Sequence, residues 1–105
     1  MRLLPKLVVS AALLAVGGCI TVLPAVTPEQ LQRFQAQAPT VTQASLDSGR
    51  ALYLNRCGTC HRLYAPTRYE PEYWPVMVGR MQERAHLAPE QRSLISQYLQ
   101  ATSAR

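Results

Sequence analysis

Residues 49–61 have the sequence GRALYLNRCGTCH, in which apolar side chains at helical spacing lead directly into a Cys-x-x-Cys-His motif. The thiols of Cys57 and Cys60 are separated by two residues, and His61 follows at once. This is the spacing of covalent c-type haem attachment. It lets both sulfurs reach one edge of the porphyrin while the imidazole turns under the iron as its ligand. The motif predicts one covalently bound haem c.

A closely spaced cysteine pair has three other common uses. A zinc ribbon needs a second pair of ligands, and after the motif only His86 remains to supply one. A thioredoxin-like redox pair needs a strand-helix-strand setting, and no segment alternates as a strand would. A disulfide across two residues closes too short a loop to stabilise much. The spacing therefore favours haem.

Around the motif we expect three helices between residues 45 and 102 and no strand, which makes the fold class all-α. Ser45 or Asp47 can cap the first helix, with Gly49 a mild weakness inside it. The second is expected to start at residues 70–72 and the third at residues 88–90, each at an acidic and proline-containing sequence. Their apolar residues recur at helical spacing and are Trp74, Met77, Val78 and Met81, then Leu94, Ile95, Tyr98 and Leu99.

The beginning of the chain has the layout of a bacterial export signal. Arg2 and Lys6 precede a short apolar run, too short to span a bilayer as a helix, and Gly17-Gly18-Cys19 ends it. That ending resembles the lipobox of bacterial lipoproteins, which implies a signal peptide over residues 1–18 and a lipid on Cys19. Several acyl chains on one cysteine anchor a protein stably without spanning the membrane. Ile20 follows the cysteine at the position where an aspartate would mark retention in the inner membrane. The outer membrane is therefore favoured.

Residues 19–44 are rich in Thr, Gln, Ala and Pro and are expected to form a lipid-anchored flexible linker, leaving residues 45–105 as the haem domain. Within the linker, Thr27-Pro28-Glu29 has the composition of a short helix start, with Leu31 and Phe34 following.

The basic charge is weak support for nucleic-acid binding. Lys and Arg exceed Asp and Glu by five, but Arg2 and Lys6 leave with the signal, so the excess falls to three. Two haem carboxylates would offset most of that excess. No nucleic-acid partner is expected.

The stretch over residues 49–99 resembles bacterial cytochromes c. It has the haem motif at a helix end, then Leu63-Tyr64-Ala65-Pro66, then Trp74 with Met81 seven residues later, and Tyr98-Leu99 in a C-terminal helix. The resemblance implies a small cytochrome c-like domain around one haem. The interval from His61 to Met81 is shorter than is typical of single-haem members.

Several residues are candidates for the sixth iron ligand. Met81 is our choice, because the resemblance places the ligand-bearing segment there, and a thioether would raise the potential. Met77, His86 and an open sixth position are the alternatives. Trp74 and Tyr98 are expected at the haem edge, with the Trp74 indole donating to a propionate. The carbonyl of Pro66 is a candidate acceptor for the ring N–H of His61.

Together these features predict a non-enzymatic one-electron carrier, lipid-anchored on the periplasmic side of a bacterial membrane, that exchanges electrons with redox proteins. Two rival hypotheses are a haem enzyme or gas sensor with an open iron, and a haem subunit of a larger dehydrogenase or oxidase complex. The sequence has no nucleophile-base pair, carboxylate dyad or phosphate loop to suggest other chemistry.

Overall fold

The computed structural model describes residues 23–58 and 62–104, and in these ranges every regular element is helical. The α-helices are α1 (Pro28–Gln35), α2 (Gln43–Leu52), α3 (Trp74–Met81) and α4 (Pro89–Ser103). A π-helical turn, Tyr53–Cys57, continues α2, and two 3₁₀ turns, Pro66–Arg68 and Pro71–Tyr73, precede α3. The all-α prediction is confirmed for the described residues, with α1 added to the three main helices.

The helix starts follow local hydrogen bonding. Thr27 caps α1, and its hydroxyl accepts from the Gln30 backbone N–H at 3.1 Å while the Gln30 side chain accepts from the Thr27 N–H. Thr42 caps α2 in the same way, with Ser45 as its reciprocal partner. The cap predicted at Ser45 or Asp47 was therefore wrong, because Ser45 lies inside the first turn and bonds back to Thr42.

The core lies where α2 crosses α4. Leu46, Ile95, Tyr98 and Leu99 have no exposed surface. Gly49 faces α4 at the crossing, and a Cβ placed there would lie 2.9 Å from the Tyr98 Cβ and closer still to the Leu94 carbonyl. The glycine that looked like a weakness in the sequence is what lets the two backbones approach.

Residues before α2 also contribute to the core. Leu23, Val26 and Val41 are each less than a tenth exposed. The Arg50 guanidinium donates to the Leu23 carbonyl at 2.6 Å, and the Tyr98 hydroxyl donates to the Pro24 carbonyl at 2.7 Å. The domain boundary at residue 45 stays a prediction, but these contacts join residues 23–26 to α2 and α4. The signal segment and Cys19 lie outside the described residues.

The third helix packs on the fourth through polar contacts at its C-terminal end. Arg92 of α4 donates to the Gln82 side chain at 2.9 Å, and its guanidinium lies over Gly79. Pro75 falls in the first turn of α3, where its missing N–H costs no hydrogen bond. Among the described helices, none is long and apolar enough to cross a membrane.

Candidate functional site

The described part of the motif sits at the end of the π-helical turn. Cys57 is its last residue and is half-buried, and Gly58 follows with helical backbone angles. Cys60 and His61 lie outside the described residues, so their predicted roles stay predictions. The structure thus locates the site through Cys57 and through the residues packed around it.

The change of winding at this point is a functional signal. π-helical turns are rare and occur frequently at functional sites. Here the turn spans the five residues up to Cys57. A Cβ placed on Gly58 would lie 2.8 Å from the Leu54 carbonyl oxygen. The small residue after Cys57 is therefore needed by the backbone itself, whatever else approaches it.

Cys57 opens onto an apolar recess formed between the π-helical turn and α3. The recess takes in about 390 Å³ up to its open side, part of which is open to solvent. It is lined by Tyr53, Cys57, Tyr64, Trp74, Met77, Val78 and Met81. The fold thus brings Met81, Trp74 and Cys57 to one apolar wall.

Trp74 is held in the recess wall by its indole N–H. The residue is only 3% exposed, and its Nε1 donates to the Pro66 carbonyl at 2.9 Å. An indole has one N–H, so the structure differs from the propionate contact we expected. The bond instead ties the loop after the motif to α3. The Pro66 carbonyl retains a second lone pair, while its predicted donor, His61, lies outside the described residues.

Tyr53 closes the inner side of the recess. It is 4% exposed, and its hydroxyl donates to the Tyr64 carbonyl at 2.8 Å. Burial, followed by the nearby Cys57 thiol, raises the pKa of Tyr53 well above its usual range. The hydroxyl therefore stays protonated and keeps donating at any physiological pH. The sequence analysis missed this role, although Tyr53 stands one helical turn before Cys57.

An aromatic row leads from this wall to the surface. The ring of Tyr53 meets Trp74 edge-on at 6.3 Å, Tyr69 meets Trp74 at 5.2 Å, and Tyr64 meets Tyr69 at 6.0 Å. The guanidinium of Arg68 lies 5.4 Å from the centre of the Tyr64 ring. Edge-to-face pairs stabilise beyond their buried area. These contacts pack the loop residue Tyr69 against Trp74 in the recess wall.

The structure places the candidates for the sixth ligand in different surroundings. Met81 and Met77 both line the recess and are half-buried, whereas His86 is exposed and is not among the lining residues. Tyr98, which we expected at the haem edge, lies at the α2–α4 crossing and does not line the recess either. Iron ligation by Met81 remains a prediction, and the structure places Met81 in the wall of the same recess as Cys57.

His86 has a structural role of its own. Its φ of 53° is left-handed, the backbone N–H of His86 bonds to the Glu83 carbonyl at 3.1 Å, and that of Leu87 bonds to the Gln82 carbonyl at 2.9 Å. These two bonds and the left-handed residue define a Schellman cap, which terminates the turn after α3. Glycine is the usual residue at such a position, so His86 holds it at a conformational cost.

The charge around the motif is positive. Between residues 48 and 69 the chain has four arginines, at positions 50, 56, 62 and 68, and no acidic residue. Arg56, Arg62 and Arg68 are exposed. The sequence on either side of the motif is therefore basic, and such positive charge favours acidic groups on a ligand or partner.

Among residues 23–58 and 62–104, no three His, Cys, Asp or Glu side chains come together as a metal site. Comparison of the chain with protein-family models, with curated proteins and with solved structures found no match. The functional assignment consequently depends on the motif and on the geometry of the recess.

Proposed function

We propose that the chain is a one-electron carrier with a single haem c, anchored by a lipid on Cys19 to the periplasmic side of a bacterial membrane. In this proposal Cys57 and Cys60 hold the haem through thioether bonds, His61 is the proximal iron ligand and Met81 the distal one. When bound, the haem supplies an Fe(III)/Fe(II) couple that gains or loses one electron.

One observation carries the proposal. Cys57, the first cysteine of the haem motif, opens onto the same apolar recess as the thioether of Met81, although the two residues belong to different elements. An apolar recess that presents thioether sulfur suits a porphyrin and its iron better than it suits zinc, which prefers thiolate and imidazole.

The protein's own residues then have distinct tasks. Trp74, Val78 and Tyr53 exclude water from the recess, because each is buried and closely packed. The bond from the Trp74 indole to Pro66 holds the loop after the motif against α3. Met81 provides a soft neutral donor that favours the reduced metal and so raises the potential.

The first test is spectroscopic and uses the exported, full-length protein. Its pyridine haemochrome should have the c-type form, and the oxidised protein should have the weak long-wavelength band of methionine bound to ferric iron. Mass spectrometry should find one haem covalently attached. Absence of haem would overturn the proposal and return the cysteine pair to a structural or redox role.

A pair of matched variants identifies the distal ligand. Met81→Leu should abolish the methionine band and lower the potential, whereas Met77→Leu, from the same wall of the recess, should change neither. If both variants keep the band, neither methionine acts alone as the ligand. If the native protein lacks the band and binds carbon monoxide rapidly, the iron is open, and the rival haem enzyme or gas sensor is favoured.

A further inference from the structure

Residues 23–26, here called the strap, are fixed to the helices at two points. The Leu23 carbonyl accepts from Arg50 Nε at 3.2 Å and from Arg50 Nη2 at 2.6 Å. The next carbonyl, that of Pro24, accepts from the Tyr98 hydroxyl at 2.7 Å. The donors belong to different helices, α2 and α4, so the strap bridges the crossing between them.

Side-chain burial reinforces these bonds. Leu23 is 4% exposed and Val26 is 7% exposed, and both belong to the main core. Burying such apolar side chains stabilises the folded chain, and a hydrogen bond from a charged guanidinium is stronger than a neutral one. The strap is therefore part of the folded unit, and any free tether must end before it.

The position of the strap limits the length of the anchor. Between Cys19 and Leu23 an extended chain reaches at most about 14 Å, whereas a tether that ran on to residue 45 would reach about 90 Å. Resting on the lipid attachment proposed for Cys19, the geometry points to a short anchor: the face of α2 and α4 that carries the strap lies toward the bilayer, and the domain stays next to it.

The position of the recess then selects the class of partner. Arg50 and Cys57 lie seven residues apart on α2 and the π-helical turn that continues it, a rise of about 10 Å along a helix. The recess is thus within about 30 Å of the lipid even with the anchor fully extended. The partners that fit are redox proteins whose own centres lie close to the same bilayer surface, either integral or bound to it.

The test compares one insertion at two positions in the full-length, lipid-modified, haem-loaded protein. A flexible Gly/Ser insertion of about 20 residues, with an end-to-end distance of about 25 Å, is placed between Thr21 and Val22 or between Pro39 and Thr40. Neutron reflectometry on a supported phospholipid bilayer gives the height of the protein layer. We expect the first insertion to raise the layer by about 25 Å and the second to leave it unmoved.

Equal rises for the two insertions would overturn the short anchor, because they would mean that the tether continues through residues 23–44. Mass spectrometry of Cys19 separates this failure from that of the proposed function. An unmodified Cys19 would overturn the membrane anchor as well as the inference, whereas a lipid-modified Cys19 with equal rises overturns the inference alone. The haem spectrum of each insertion variant reports whether the domain is intact.

Unfolding stability gives a readout that needs no insertion. Leu23→Ala should clearly lower the denaturant midpoint of unfolding, because the Leu23 side chain is only 4% exposed. Leu54→Ala truncates an exposed leucine and serves as the matched control, with a much smaller shift expected. An unchanged midpoint in Leu23→Ala would contradict the inference, because a strap outside the folded unit adds nothing to its stability.

Discussion

Two parts of the continuous helical segment formed by α2 and the π-helical turn are built in opposite ways. Around Gly49 the segment meets α4 backbone to backbone, with Tyr98 fully buried and its hydroxyl bonded to the Pro24 carbonyl. Around Cys57 the winding loosens to a π-helical turn, and the neighbouring side chains form an open apolar recess. Close packing and the candidate site therefore occupy different parts of one helical segment.

The part around Gly49 should be more sensitive to added side-chain volume than the part around Cys57. Gly49→Ala would press a methyl group against the Leu94 backbone, which cannot move aside as a side chain does. We expect it to destabilise the protein by about 2 kcal/mol, measured by denaturant unfolding followed by circular dichroism. Ser48→Ala, at an exposed position one residue earlier, is the control and should stay within about 0.5 kcal/mol. If Gly49→Ala were as stable as the unaltered protein, the α2–α4 crossing would not be closely packed in solution.

The part around Cys57 should affect how the unfolding free energy depends on pH. The pKa of Tyr53 is raised in the folded protein, mainly by burial, so its protonated form is favoured by folding. This stabilisation is complete below the ordinary tyrosine pKa of about 10 and is lost as pH rises above it. Tyr53→Phe should cost about 1 kcal/mol at pH 7, for the lost hydrogen bond to Tyr64. It should also flatten the decline of the unfolding free energy between about pH 10 and 11.5.

Tyr98→Phe is the variant with which the alkaline decline of the unfolding free energy in Tyr53→Phe is compared. The pKa of Tyr98 is also raised by burial, although Arg50 acts against the rise. Both tyrosines therefore contribute to alkaline unfolding, Tyr53 at the recess and Tyr98 at the α2–α4 crossing. An unchanged alkaline decline in Tyr53→Phe would contradict the burial of its hydroxyl at the recess.

A smaller effect of opposite sign is expected after α3. His86→Gly removes the strain of a left-handed side-chain residue while the Schellman cap remains. We expect a gain of about 0.5–1 kcal/mol, measured as a higher unfolding midpoint. If the chain binds haem as proposed, its visible spectrum should not change, because His86 is exposed and does not line the recess. A changed spectrum would favour His86 as the iron ligand.

The second packed glycine should give the smallest effect. A Cβ on Gly79 would meet only the end of the Arg92 side chain, which can turn away at the loss of its bond to Gln82. Gly79→Ala gains about 1 kcal/mol in helix propensity and loses a hydrogen bond of similar worth. The unfolding free energy should therefore stay within about 1 kcal/mol of the unaltered protein. A loss as large as that of Gly49→Ala would mean that both interfaces are equally rigid.

The sequence was most informative where the deciding interactions are local. The starts of α1 and α4 were predicted from a proline next to polar and acidic residues, because a helix terminus is determined by groups within one turn. The apolar stripe of α4 likewise gave the buried residues Ile95, Tyr98 and Leu99. Met81 and Trp74 were placed near Cys57 through the resemblance, and both line the recess.

The sequence was least informative where a backbone atom is the partner. Gly49 was counted as a weakness, since helix propensity contains no term for the closeness of another backbone. The Leu23 and Pro24 carbonyls carry no side-chain signature, so nothing in the sequence pointed to Arg50 and Tyr98 as their donors. Trp74 was expected to donate to a cofactor, but its N–H donates to the backbone carbonyl of Pro66. Such acceptors become visible only when the chain is folded.

The bond between Tyr98 and Pro24 also imposes an order of events on folding. Its two residues are 74 positions apart, so closing it requires almost the whole chain, and contacts of such long separation form late. Because synthesis starts at the N-terminus, α4 is the last of the described helices to become available. Until then Pro24 and Gly49 both lack the partners that they have in the folded chain.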